Sequence, residues 1–227
     1  MSRTPSSNAP RRRMQDADPV AAPATAGGRW IGERGWQLTT GAETLARYAA
    51  LNSGNFSELE DIIPAEDSIL LVFRHGAEAS GALRSALNAP LSADPLPSGA
   101  LHELAVMYGG EAGPDLAALA AWAGLHPDDY VEQHAAAEYV VAFLGFQPGF
   151  PYLRGLPPAL QMPRRTTPRT RVPGGSVAVG GRYTGIYPAA GPGGWHLVGR
   201  ADVRLFDPAR ESPALLRPGD RVRFVAT

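Results

Sequence analysis

An α+β N-terminal region followed by a mainly β, barrel-forming region is the fold class this sequence predicts, and three observations predict it. Apolar runs alternate with helical stripes between Trp36 and Leu87. After Glu138 the helical periodicity gives way to short β-branched runs between glycine and proline turns. The last such run, Arg221 to Val225, alternates apolar and polar residues behind the turn Pro218-Gly219-Asp220, as a half-buried strand does. The expected divisions are a disordered tail over 1–28, a small α+β domain over 29–99 and a closed or nearly closed β-barrel domain over 100–227.

The tail is expected because residues 1–28 are rich in Ser, Pro, Ala and Arg and show no apolar periodicity. A strand is predicted over Trp36–Thr39 and a helix over Gly41–Leu51, whose inner face carries Leu45, Tyr48, Ala49 and Leu51. Leu59–Pro64 and Ser68–Arg74 are two apolar runs divided by Ala65-Glu66-Asp67, the second reading as a buried strand. A second helix is predicted over Glu78–Leu87, then a linker from Asn88 to Gly99. This order suggests an antiparallel sheet with helices on one face.

The second region opens with a predicted strand over His102–Tyr108 and two short helices. Gly113-Pro114-Asp115 begins the first, proline suiting the first turn and aspartate complementing the helix dipole. Its stripe is Leu116, Leu119, Ala120 and Ala123. His126-Pro127-Asp128-Asp129 begins the second, whose face carries Tyr130, Val131 and His134.

Composition narrows the function classes. The chain has 227 residues, a net charge of −1 and an apolar fraction of 44%. That balance argues against a nucleic-acid or membrane-surface protein as a whole. There is no cysteine, which excludes disulfides, thiolate metal sites and a cysteine nucleophile. No apolar run is long enough to span a bilayer and the start lacks a secretory core, so a cytoplasmic protein is expected. All 21 basic residues are arginine. Without lysine there is no Walker-type phosphate lysine, no Schiff base and no biotin carrier on this chain.

The candidate chemistry lies between Glu138 and Arg200. Arg164, Arg165, Arg169 and Arg171 are held apart by Pro163, Pro168 and Pro173. A guanidinium fork pairs with carboxylate or phosphate through two parallel hydrogen bonds, so the run reads as an anion clamp or, equally, as a solvated loop paired to nearby acids. His134 reads either as a general acid–base or as a structural histidine with satisfied ring nitrogens. Phe146, Phe150, Tyr152, Tyr187 and Trp195 are able to line a pocket floor or to pack the barrel. The pairs Gly180-Gly181 and Gly193-Gly194 allow close backbone approach. The histidines show no metal-ligand spacing, and no metal site is expected.

Four ordered motifs carry a resemblance. They are Gly145-Phe146-Gln147-Pro148-Gly149-Phe150-Pro151-Tyr152-Leu153, the run from Pro163 to Ser176, Thr184-Gly185-Ile186-Tyr187-Pro188, and Pro192-Gly193-Gly194-Trp195 with Gly199-Arg200. Together they resemble the family of 5-oxoprolinase B subunits, also called kinase A inhibitor-like or allophanate hydrolase subunit 1. The likeness extends over nearly all the chain after the tail. It implies a small α+β domain and a cyclophilin-like barrel. It also implies work with a homologous barrel partner, the C subunit, and a hydrolase partner, the A subunit, together converting 5-oxo-L-proline to L-glutamate with ATP and its Mg²⁺. Related barrels serve as carboxyltransferase parts in urea metabolism, and one relative inhibits a histidine kinase, so those are the alternatives.

On that resemblance Arg164, Arg169, Arg171 and Arg200 are the expected anion ligands. Gly149, Phe150, Tyr187, Gly193, Gly194 and Trp195 are expected to shape the pocket, and His134 to transfer a proton. Two positions depart from the family pattern: Tyr183 stands where glutamine is usual, and Ala201 follows Arg200 where threonine is usual.

Overall fold

The computed structural model describes residues 27–91 and 99–227. Most of the expected tail and the middle of the expected linker fall outside the described residues. The first unit is an antiparallel sheet in the order β1 (Gly28–Ile31), β2 (Gly35–Thr39), β4 (Ser68–Phe73), β3 (Leu59–Pro64). Strand β1 is not among the expected elements: Gly28, the last residue of the segment expected to be tail, pairs with Leu38. Helix α1 (Thr44–Asn52) follows a short 3-10 turn at Gly41–Glu43, and α2 (Gly81–Asn88) starts at Ser80, whose hydroxyl accepts from Leu83 N. The second helix thus begins three residues later than expected, because Ser80 supplies the N-cap. Leu51, Leu83 and Leu87 from the helices join Trp36, Ile69, Leu71 and Phe73 from the sheet in one core.

The second unit is a closed barrel. Its strands are β5 (Leu101–Tyr108), β6 (Glu138–Leu144), β7 (Pro151–Arg154), β9 (Ser176–Gly180), β10 (Tyr183–Ile186), β12 (His196–Ala201) and β13 (Arg221–Ala226). They close in the order β10-β7-β6-β13-β5-β12-β9. Closure leaves no strand edge in the barrel unpaired, which is what a chain of short strands needs. Helices α3 (Leu116–Ala123) and α4 (Pro127–Ala136) pack against it, and a separate ribbon pairs β8 (Arg169–Val172) with β11 (Gly191–Gly193).

Strand parity divides the buried residues into two sets. Val141, Leu153, Val177, Val179, Ile186, Val198, Val222 and Phe224 share one core with Tyr130 and Leu119 of the helices. Their neighbours in sequence, Ala142, Ala178 and Leu197, belong to another with Phe150, Val172, Tyr183, Tyr187 and Trp195. Because side chains alternate along a strand, the first set fills the barrel and the second lies on the outside of its wall, under the β8–β11 ribbon. Strands β6, β9, β10 and β12 therefore bury residues on both faces, which is why their sequences read as nearly continuous apolar runs rather than alternating ones.

The two units meet through β3–β4 and the barrel. Glu66 pairs with Arg182, and Arg154 Nη2 donates to the Glu66 carbonyl at 2.9 Å. A cavity of about 490 Å³ opens at this seam. Asp220 ties the barrel entry together, accepting from Ala100 N at 3.0 Å and Arg217 N at 2.8 Å and lying 3.3 Å from His102 Nε2.

Candidate functional site

The outer-wall cluster opens to solvent as a cleft of about 210 Å³ between Phe146, Phe150, Tyr152, Arg164, Arg165, Pro168, Tyr187, Gly193, Gly194 and Trp195. It is smaller than the seam cavity, but it gathers the sequence motifs and joins an aromatic floor to a cationic rim. The seam cavity is lined instead by surface ion-pair partners and loop backbone.

Glycines build the floor. A Cβ on Gly180 would come within 2.6 Å of the Trp195 indole, and one on Gly185 within 3.1 Å of Phe150 and Trp195, so the indole lies flat across two strands that lack side chains there. Phe150 packs edge-on against Trp195 at 5.3 Å, Tyr187 at 5.1 Å and Tyr152 at 5.2 Å, in the T-shaped geometry that aromatic quadrupoles favour. Tyr183, at the position where the family usually has glutamine, packs edge-on to Tyr152 at 5.6 Å and extends this cluster. The Tyr187 hydroxyl passes beneath Gly193, where a Cβ would meet it at 2.3 Å. Gly149, at φ 77°, turns the chain so that its α-carbon backs onto the Leu205 carbonyl. It shapes the loop without lining the cleft. Phe146 holds a left-handed φ of 67° and is 60% exposed, an uncommon backbone state for a bulky residue that presents its ring at the mouth.

The rim is stitched in place. His196 Nε2 donates to the Pro163 carbonyl at 3.0 Å, and Arg165 N donates to the Gly194 carbonyl at 2.8 Å. These bonds seat the Pro163–Pro168 loop on the end of β12. The Arg164 guanidinium then lies 5.6 Å from the Trp195 ring centroid, within cation–π range.

Behind the rim stands Asp115, 8% exposed. Its Oδ1 accepts from Arg169 Nη2 at 2.8 Å and lies 3.7 Å from Arg165 Nη1, while Oδ2 accepts from Leu197 N at 2.7 Å. Burial pushes the Asp115 carboxyl up, but the hydrogen bonds from Arg169 and Leu197 and the charges of Arg169 and Arg165 outweigh it and hold the carboxyl below its ordinary range. Asp115 was expected to complement the α3 dipole. It stands at the N-cap position of α3, but its side chain makes no capping hydrogen bond and is held by strand and loop instead.

The structure brings together only part of the expected set. Arg164, Phe150, Tyr187, Gly193, Gly194 and Trp195 line the cleft. Arg169 does not, being turned to Asp115. Arg171 and Arg200 occupy exposed positions on β8 and β12 outside the cleft lining. His134 is fully buried inside the barrel, with Tyr108 Oη 2.8 Å from Nδ1 and Thr184 Oγ1 3.1 Å from Nε2, and its ring stacks on Phe224 at 5.1 Å. Thr184 and Ile186 face the interior while Tyr183 and Gly185 face the aromatic cluster, so the barrel wall separates His134 from the cleft. Burial lowers its pKa to about 3. The lining residue left out of the expected anion ligands is Arg165. Its signal was the proline on each side of the Arg164-Arg165 pair, which fixes both side chains on one short loop.

Among the described residues no group of three or more His, Asp or Glu side chains is placed to hold a metal ion. The cleft also falls below the roughly 300–1,000 Å³ usual for cofactor sites. The cleft lining carries no carboxylate, so the cleft on its own supplies no ligand for a magnesium nucleotide.

Fold and site define a barrel domain with a cation-rimmed aromatic cleft on its outer wall. The chain belongs to the family described as carboxyltransferase domain, subdomain C and D, whose model matches residues 30–216. In Escherichia coli O157:H7, the protein named as the B subunit of 5-oxoprolinase is 59% identical over 129 residues, which are 57% of this chain and 59% of that protein. The chain spans about half to three fifths of the length of the curated relatives it matches. The crystal structure of the protein TTHA0988 superposes with a TM-score of 0.72 at 38% identity, over 86% of this chain and 40% of that one. The urea carboxylase of Kluyveromyces lactis shares the fold, with a TM-score of 0.62 at 19% identity over 88% of this chain and 21% of that one. No described helix is long and apolar enough to cross a membrane.

Proposed function

We propose that this chain is the B subunit of an ATP-dependent 5-oxoprolinase, opening the lactam of 5-oxo-L-proline to L-glutamate together with the homologous barrel-fold C subunit and the hydrolase-type A subunit. The observation that carries the reading is the cleft: two rim arginines, Arg164 and Arg165, above a floor of Phe150, Tyr187 and Trp195. A five-membered lactam with one carboxylate has the matching parts, a flat ring for the floor and an anion for a guanidinium fork. The name of the E. coli relative supports the same substrate.

On this reading the chain's own residues bind and orient. Arg164 and Arg165 take the carboxylate, the aromatic floor excludes water from one ring face, and the Gly193-Gly194 backbone lets the ring approach closely. The nucleotide and Mg²⁺ are assigned to the assembled complex rather than to this chain, which is why the chain is expected to be inactive alone. The barrel is read as cyclophilin-like, residues 27–91 as a small α+β unit, and the setting as cytoplasmic.

The test is reconstitution. The chain purified with its two partner subunits is expected to form glutamate from 5-oxoproline only when ATP is present. A complete, folded assembly without turnover would exclude the assignment.

A further inference from the structure

We propose that Asp115 is the positioning residue of this cleft, dividing the work between two arginines so that Arg165, rather than Arg169, meets the substrate carboxylate. This inference rests on the 5-oxoprolinase reading for its substrate. Its geometry is independent of that reading.

Both arginines point at one oxygen of one buried carboxylate, but unequally. Arg169 Nη2 is 2.8 Å from Asp115 Oδ1 and the arginine is withdrawn from the cleft lining. Arg165 Nη1 is 3.7 Å from the same oxygen, outside good hydrogen-bonding distance, and its side chain remains in the lining. Asp115 therefore accepts a hydrogen bond from Arg169 and offers Arg165 only charge. Arg165 keeps its Nη donors for a ligand, while its Nε, like Arg169 Nη1, is buried without a protein acceptor among the described residues.

Asp115 is itself locked to the strand that carries the floor. Leu197 N donates to its Oδ2 at 2.7 Å, and its own N–H donates to the Leu197 carbonyl at 3.1 Å. Two residues before Leu197 stands Trp195, and the Gly194 carbonyl holds Arg165 N. The segment from Gly194 to Leu197 thus carries Trp195 of the floor, the acceptor for the rim backbone and the donor that holds the carboxylate aiming the rim side chain. Gly113 makes this docking possible, since a Cβ there would fall 2.0 Å from the Val198 carbonyl.

The experiment uses the reconstituted complex and a double-mutant cycle. Asp115→Asn keeps an acceptor for Leu197 N but removes the charge. It is expected to raise KM for 5-oxoproline about ten- to a hundredfold, the scale of one charge-assisted hydrogen bond, with kcat changed far less. Arg165→Ala is expected to raise KM similarly, and the double variant no further than Arg165→Ala alone. Asp115→Glu should recover part of the loss. Additive losses, or an unchanged KM in Asp115→Asn, would overturn the inference. Should the wild-type complex make no glutamate, the functional reading fails separately, and the geometry is then read on the free chain by the ¹⁵N guanidinium resonances of Arg165 and Arg169. Asp115→Asn is expected to shift both and to speed their hydrogen exchange; unshifted resonances would overturn the assignment. If Asp115→Asn does not fold, Arg169→Ala serves in its place, freeing Oδ1 for Arg165 and raising KM through the lost orientation; an unchanged KM there counts against it.

Discussion

Thr184 fixes the tautomer of His134. The threonine hydroxyl has one hydrogen and donates it to the Ala178 carbonyl at 3.0 Å, so at the contact with His134 Nε2 it accepts. Nε2 then carries the ring proton and Nδ1 accepts from Tyr108 Oη. His134 is a neutral histidine with both nitrogens occupied.

Acid stability follows from that neutrality. In the unfolded chain the imidazole takes a proton below its ordinary value near 6.5, whereas burial keeps the folded form neutral down to about pH 3. Its contribution is complete above pH 6.5 and is lost as pH falls toward 3, because the unfolded state binds one more proton across that window. Urea titrations should show stability falling there by up to about 1.4 kcal/mol per pH unit. His134→Gln should flatten this dependence and lower Tm, while assemblies that still fold keep kcat.

Arg164 and the two outlying arginines should separate cleanly. Arg164→Ala removes a rim cation stacked on Trp195 and is expected to raise KM about tenfold at nearly unchanged Tm, since the side chain is exposed. Arg171→Ala and Arg200→Ala lie outside the cleft lining and should leave KM within about twofold. Initial rates of glutamate formation against 5-oxoproline concentration decide it.

Gly193→Ala tests the close approach of Tyr187. The added Cβ would sit 2.3 Å from the phenol oxygen, so the ring must move and the floor with it. A cost of about 1–3 kcal/mol in thermal unfolding is expected, with weakened substrate binding. Gly181→Ala, where a Cβ meets nothing within 4 Å but φ is +64°, should cost only backbone strain, on the order of 1 kcal/mol.

Two carboxylates, Glu66 at the joint between the units and Asp220 at the barrel entry, should differ sharply. Glu66 meets Arg182 at the exposed surface, and Glu66→Ala is expected to cost under about 1 kcal/mol. Asp220 is 8% exposed and accepts two backbone N–H groups, so Asp220→Ala leaves buried donors unpaired and should cost about 2–4 kcal/mol. Denaturant melts of the isolated chain measure both.

The barrel was legible because its signals are local: turn glycines and prolines between short β-branched runs. Trp195, Tyr187 and the glycines that seat them were legible for the same reason, as parts of contiguous motifs. Strand β1 escaped because Gly28–Ile31 is short and its pairing with β2 across a tight turn is what makes it a strand. The roles of Arg169 and Asp115 were not readable, since the carboxylate that claims Arg169 lies 54 residues upstream. His134 was misleading for a subtler reason. Helical periodicity placed it on a buried face, but only strand parity at Tyr183-Thr184 puts the barrel wall between it and the cleft.

Strand β5 is flanked by β12 and by β13, which runs parallel to it, pairing Leu101 with Arg221 through Val106 with Ala226. On the ribosome, the first barrel strand to emerge must therefore wait for one of the last before it gains that neighbour. Loop-closure entropy makes so distant a pairing slow. Until Arg221–Ala226 arrives, β5 and β6 each present a bare edge, the feature that invites pairing with the wrong chain. Synthesis of this protein thus carries an interval of aggregation risk set by the length of chain between its two seam strands.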